Sequence, residues 1–157
     1  MSRIATHLWF EKGAVEATKF YAEVIPNSRV ISVTDLPVDS PSGPAGSVQV
    51  IEFELDGAAF QAINAGPLDP FNHAISIVVN CDTQDEIDRI WAALLDGGQE
   101  EQCGWLRDRW GLAWQIVPKR LGEMMTSPDR AASKRAAEAM LKMVKLDLAA
   151  LEAAFKG

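Results

Sequence analysis

The sequence is poor in cysteine, in clustered basic residues and in long apolar runs, and each shortage removes a class of protein. Two cysteines, Cys81 and Cys103, stand in 157 residues. They lack the C-x-x-C spacing of a zinc site and are too few for a disulfide framework in a chain of this size. A reducing, cytoplasmic setting is therefore expected. No run of about eighteen apolar residues occurs, so no membrane-spanning helix is expected. The opening Met1-Ser2-Arg3-Ile4-Ala5-Thr6 lacks the basic, apolar and small-residue succession of a signal peptide. Fifteen Lys and Arg against 22 Asp and Glu leave a net charge of -7, which opposes a general nucleic-acid surface. The charge is uneven: from Pro128 onward six basic residues face four acidic ones, leaving nine and eighteen before it. This mild asymmetry suits a tail that docks on the body or on a partner, and is too small for a nucleic-acid arm.

What is present reads as a mixed chain. Thr6 to Phe10 forms a short strand pattern with Thr6, Leu8 and Phe10 on one face and His7 and Trp9 on the other. Residues 14–25 have helical spacing and stop at Pro26-Asn27-Ser28. Residues 29–33 are a β-branched strand, and 36–46 hold the proline, glycine and serine of a loop. Strands are expected over 47–55 and 58–63, joined by the hairpin signal Asp56-Gly57, before a linker over 64–72. The pattern then restarts. A strand over 74–79 precedes a capping box at Thr83-Gln84-Asp85-Glu86, and a helix runs to Gly97-Gly98. A mixed segment over 99–109 leads to a final strand over 112–117, closed by Pro118.

One local match supports duplication. Gly57-Ala58-Ala59-Phe60-Gln61-Ala62-Ile63 resembles Gly111-Leu112-Ala113-Trp114-Gln115-Ile116-Val117: glycine, any residue, alanine, aromatic, glutamine, two apolar residues. After Pro118 the composition shifts. Ser127-Pro128 is a helix start, and residues 131–143 and 146–155 read as helices whose apolar stripes pack on the domain or on a second copy.

Several segments are then recognisable together. Leu8-Trp9-Phe10, Ala17-Thr18-Lys19-Phe20-Tyr21, Pro26-Asn27-Ser28, Val79-Asn80-Cys81, Cys103-Gly104-Trp105-Leu106 and Trp114-Gln115-Ile116-Val117-Pro118 resemble the PhnB-like branch of the vicinal oxygen chelate superfamily. So does the tail, through Arg135, Ala139-Met140 and Lys142-Met143. That superfamily includes glyoxalase I, bleomycin-resistance proteins and extradiol dioxygenases. The resemblance implies an α+β fold with two βαβββ modules, residues 4–65 and 73–118, each curling into a glyoxalase-like half-barrel. They would make one domain over 1–120, with a helical C-terminal extension over 121–157. It also implies a homodimer. Members of the branch are often described as demethylubiquinone methyltransferase-like, but no glycine-rich nucleotide loop follows the first strand here, so these residues give a methyl-donor site no support.

The superfamily's metal enzymes take one ligand from the first and last strand of each module. The resemblance places those positions at Thr6, Gln61, His73 (or Ile75, if the loop register slips) and Gln115. A hydroxyl and two amides are poor donors for a divalent cation, and one histidine cannot hold it, so no metal and no cofactor is expected. His7 is expected on the face away from that position. The ligand pocket expected instead is Thr6, Gln61, His73, Trp105, Trp110 and Gln115. The two glutamines orient a small polar ligand or satisfy one another and buried backbone. His73 is a cavity acid/base or a solvated linker residue, and the tryptophans wall a pocket or fill the core. Cys103 reads as a small buried hydrophobe, and Arg107-Asp108-Arg109 as a solvated charge cluster. Three functions stay open: a metal-free small-molecule-binding domain of unassigned substrate, a metal-dependent lyase, isomerase or dioxygenase, and a dimeric structural module.

Overall fold

In the computed structural model, which describes residues 2–157, the chain divides into two compact units, Met1–Asp69 and Pro70–Gly157. The first unit runs β1 (Thr6–Phe10), α1 (Ala14–Val24), β2 (Arg29–Asp35), β3 (Gln49–Leu55) and β4 (Ala58–Asn64). Its sheet has the order β1-β4-β3-β2, with β1 parallel to β4 and the other pairs antiparallel. Strand alternation turns Leu8, Phe10, Ile51, Phe53, Phe60 and Ala62 toward α1, which answers with buried Ala14, Ala17, Tyr21 and Val24. Each large side chain so buried contributes about 1.5–3 kcal/mol relative to exposure. The Phe53 and Phe60 rings stack at 5.2 Å between centroids. The β3–β4 hairpin turns through Asp56 (φ 47) and Gly57 (φ 79), the two positive dihedrals that a tight primed turn requires.

The second unit repeats the topology with β5 (Ile77–Cys81), α2 (Gln84–Leu95), β6 (Gln99–Glu100), β7 (Trp105–Arg107) and β8 (Ala113–Pro118), in the order β5-β8-β7-β6. Both sheets are open, and no closed barrel is present among the described residues. The two matched seven-residue segments fall on β4 and β8, which hold the same place in each sheet. Their leading glycines, Gly57 and Gly111, are both left-handed, and their aromatics, Phe60 and Trp114, are both buried. The Thr83 hydroxyl accepts from the Glu86 N–H at 3.2 Å, while the Glu86 carboxylate accepts from the Asp82 N–H at 3.0 Å, so the capping box closes one residue earlier than its usual form.

Three expectations shift. The strand expected from Ala74 begins at Ile77, because the Asn72 side chain accepts from the Ala74 N–H at 2.8 Å and makes a turn of 73–75. The tail holds three helices, α3 (Lys119–Met125), α4 (Arg130–Met140) and α5 (Leu148–Lys156). Of these, α3 follows Pro118 with no break for sequence spacing to reveal. Asp129, not Ser127, caps α4: its carboxylate accepts from the Ala132 N–H at 3.1 Å. The tail stripe packs within its own unit, where Leu121, Met124, Ala136, Leu146 and Leu151 form one cluster with Val117, Met140, Met143 and Phe155 against it.

Candidate functional site

The face of the second sheet that turns away from α2 is where chemistry gathers. Alternation on β8 buries Trp114 and Ile116 and leaves Gln115 on the other face. Gln115 pairs across the ladder with Trp105 on β7 and Val78 on β5. Arg107, two residues beyond Trp105, shares its face. The turn at 73–75 brings His73 over this surface, its ring 6.0 Å from the Trp105 ring. His73 Nε2 lies 2.9 Å from both oxygens of Glu101. Arg107 Nη2 lies 2.8 Å from His73 Nδ1, and Arg107 Nε 3.4 Å from Glu101 Oε2. Arg107 Nη2 and Nε also lie 3.3 and 3.4 Å from His73 Nε2, so the guanidinium sits against both ring nitrogens. Gln115 Nε2 donates to the Ser76 hydroxyl at 3.0 Å. Three residues expected in a pocket, His73, Trp105 and Gln115, therefore meet on one face. Ser76 and Glu101, which the sequence did not single out, and Arg107, which reads in sequence as part of a solvated charge cluster, complete the set.

The first sheet offers a different surface. Gln61 lies on the face opposite α1, and its ladder neighbours are His7 on β1 and Glu52 on β3. Thr6 pairs instead with buried Phe60 and shares the face of Leu8 and Phe10. Thr6 and Gln61, expected in one pocket, are thus separated by the sheet, and His7 takes the place beside Gln61. The alternation along β1 was legible, but which set of β1 residues meets Gln61 depends on inter-strand register. A cleft of about 240 Å³ lies on this unit, lined by Arg3, Ile31, Glu52, Glu54 and Gln61 among others.

Register also tests the metal that the superfamily's enzymes carry. In the first unit the strand pair at the ligand level is His7 and Gln61; in the second the same level holds Val78 and Gln115. His73, expected at this level, lies four residues before β5. Valine donates nothing, and two amides bring no charge to offset a dication. Among the described residues no three His, Cys, Asp or Glu side chains group as a metal site. The residues do not fit a divalent ion.

Trp110, Asp108 and the two cysteines have other surroundings. Trp110 is half-buried, with the Arg109 guanidinium 5.1 Å from its ring centroid. Asp108 is no solvated charge: at 3% exposure it accepts from the Trp110 and Leu112 N–H groups (2.9 and 3.1 Å) and from Trp114 Nε1 (2.9 Å). Burial pushes the Cys81 thiol up to about 12, which leaves it an inert core residue. Cys103, half-buried at φ 60, donates its N–H to Met143 O at 2.9 Å.

Comparison with known proteins agrees with this architecture. Residues 2–117 match the family described as 3-demethylubiquinone-9 3-methyltransferase. The PhnB protein from Bacillus cereus is 30% identical with a TM-score of 0.65, over 74% of this chain and 99% of that one. The fosfomycin resistance protein FosX from Listeria monocytogenes (12% identity, TM-score 0.56, 80% and 98% covered) shares the fold. So does glyoxalase I from Leishmania major (14%, 0.50, 87% and 98%). No curated protein sequence matches the chain. With more than two thirds of its length matched and both βαβββ units in place, the chain belongs to the 3-demethylubiquinone-9 3-methyltransferase family, the PhnB-like branch of the vicinal oxygen chelate superfamily.

Proposed function

We propose that this protein is a metal-free small-molecule-binding member of its superfamily, with the ligand seated on the open face of the second sheet. One observation carries the reading: His73, Trp105 and Gln115 converge there with Arg107 and Ser76, an aromatic wall beside several directional polar groups. A domain over 1–120 with an added extension over 121–157 is consistent with a family match that ends at 117. We also read the protein as a cytoplasmic homodimer; apolar Ile31 and Val33 stand exposed on the edge strand β2. Methyl transfer, which the family description names, has no methyl-donor loop to support it in these residues: β1 passes through Glu11-Lys12-Gly13 straight into α1.

The test is metal content of the purified protein, followed by melting with Ni²⁺, Zn²⁺, Mn²⁺ and Fe²⁺. The expected outcome is no stoichiometric metal and no shift, because only an ion bound to the folded form raises stability. A melting rise of several degrees would put a metal-dependent lyase, isomerase or dioxygenase first.

A further inference from the structure

We propose that Arg107, held by His73 and Glu101 beside Trp105, recognises the carboxylate of a small aromatic acid. The inference rests on the reading of this face as a ligand site and adds the ligand's chemical class. An arginine is usually a mobile side chain whose ordering opposes binding. Here two of its three nitrogens are committed: Nη2 to His73 Nδ1 at 2.8 Å and Nε to Glu101 at 3.4 Å. His73 is held in turn by both Glu101 oxygens at 2.9 Å. The guanidinium plane is thereby oriented before any ligand arrives. Its Nη1 nitrogen makes no hydrogen bond among the described residues, and the side chain is 35% exposed.

A preoriented guanidinium edge suits a planar oxyanion, which it binds through directional charge-assisted hydrogen bonds. Charge argues for a monoanion. Glu101 stands against the same guanidinium, and Arg107 is the one lysine or arginine among the residues gathered on this face, so a dianion would meet repulsion with a single cation to offset it. The aromatic part follows from Trp105. Its ring is half-buried next to His73 and directly across the ladder from Gln115, so a ring anchored at Arg107 has an indole to pack on. The Gln115 carbonyl oxygen, beside a side-chain N–H already given to Ser76, is left as an acceptor for a ring substituent.

The probes are benzoate, its uncharged isostere benzamide, and phenyl phosphate, titrated against the full-length protein while the indole N–H signals are followed by NMR. Trp105→Phe identifies the Trp105 signal. Benzoate is expected to shift that signal saturably and about ten-fold more tightly than benzamide, the ratio that about 1.4 kcal/mol gives. Arg107→Gln is expected to remove the preference for benzoate, and Arg107→Lys to keep only part of it, because a point charge lacks the fork. Both variants are checked by an unchanged melting temperature, and Arg107→Lys keeps the test decisive if Arg107→Gln does not fold. Equal binding of benzoate and benzamide would overturn the carboxylate assignment while leaving the face a ligand site. Tighter binding of phenyl phosphate would overturn the monoanion argument. If no probe moves Trp105, this inference and the ligand-face reading both fall.

Discussion

A carboxylate taken out of water needs donors, and Asp108 finds them in its own turn. It lies between β7 and β8, where the chain reverses, and gathers two backbone N–H groups and the Trp114 indole. These contacts fix the Trp110-Gly111 turn and the Trp114 ring that fills the core under Gln115. Removing the acceptor leaves buried donors unpaired, which costs more than the net worth of the bonds themselves. Asp108→Ala is therefore expected to destabilise the protein by about 2–4 kcal/mol in urea unfolding. Asp108→Asn, which keeps one acceptor oxygen, should lose less. Equal losses would mean that side-chain shape, not hydrogen bonding, is what matters there. In sequence, an aspartate flanked by Arg107 and Arg109 reads as a surface cluster, because nothing local distinguishes a carboxylate facing solvent from one facing its own backbone.

At the scale of elements, the C-terminal helices are joined to the second sheet through a short, well-specified seam. Cys103 and Gly104 donate their N–H groups to Met143 and Val144 at 2.9 and 2.8 Å. Gly104 is left-handed at φ 85, and a Cβ there would stand 3.0 Å from the Ile116 carbonyl and from Leu146. Leu146 itself is fully buried. Gln84, in the first turn of α2, clasps the same segment: its amide donates to Leu146 O at 3.0 Å and accepts from the Leu148 N–H at 2.8 Å. The Lys145 ammonium, 2.7 Å from Asp88, holds that carboxyl below its usual range, and Gln84 adds to the effect. Leu146→Ala is expected to cost about 2–5 kcal/mol, as a core leucine truncation does, read from the urea midpoint. Lys145→Met, which removes only an exposed ion pair, should leave that midpoint nearly unchanged. If the order were reversed, the seam would be electrostatic. The seam leads directly into Trp105, so the tail steadies the loop that presents Glu101 and Trp105.

For the whole molecule, the two units repeat one topology, and the exposed edge of the first has consequences for assembly. Ile31 and Val33 on β2 are 41% and 42% exposed on a strand whose outer edge lacks a neighbour in its sheet. Apolar side chains on an open edge invite pairing with another chain. Light scattering is expected to give twice 17.1 kDa, and Val33→Lys to shift the mass toward one chain without loss of folded signal. A wild-type mass near one chain would remove the dimer. Apart from α3 and the short strands β6 and β7, the sequence alone determined the element types and the duplication, since helical spacing, the Asp56-Gly57 turn, the Thr83 cap and the repeated glycine-x-alanine-aromatic-glutamine segment are local properties of neighbouring residues. Only the tertiary structure decided the site. Which face meets which is set by strand register, where a shift of one residue exchanges Thr6 for His7 beside Gln61. His73 meets partners 28 and 34 residues away, Glu101 and Arg107, because β5, β6 and β7 fold into one sheet and a turn carries the imidazole across it. Such meetings are long-range consequences of packing, and no local spacing encodes them.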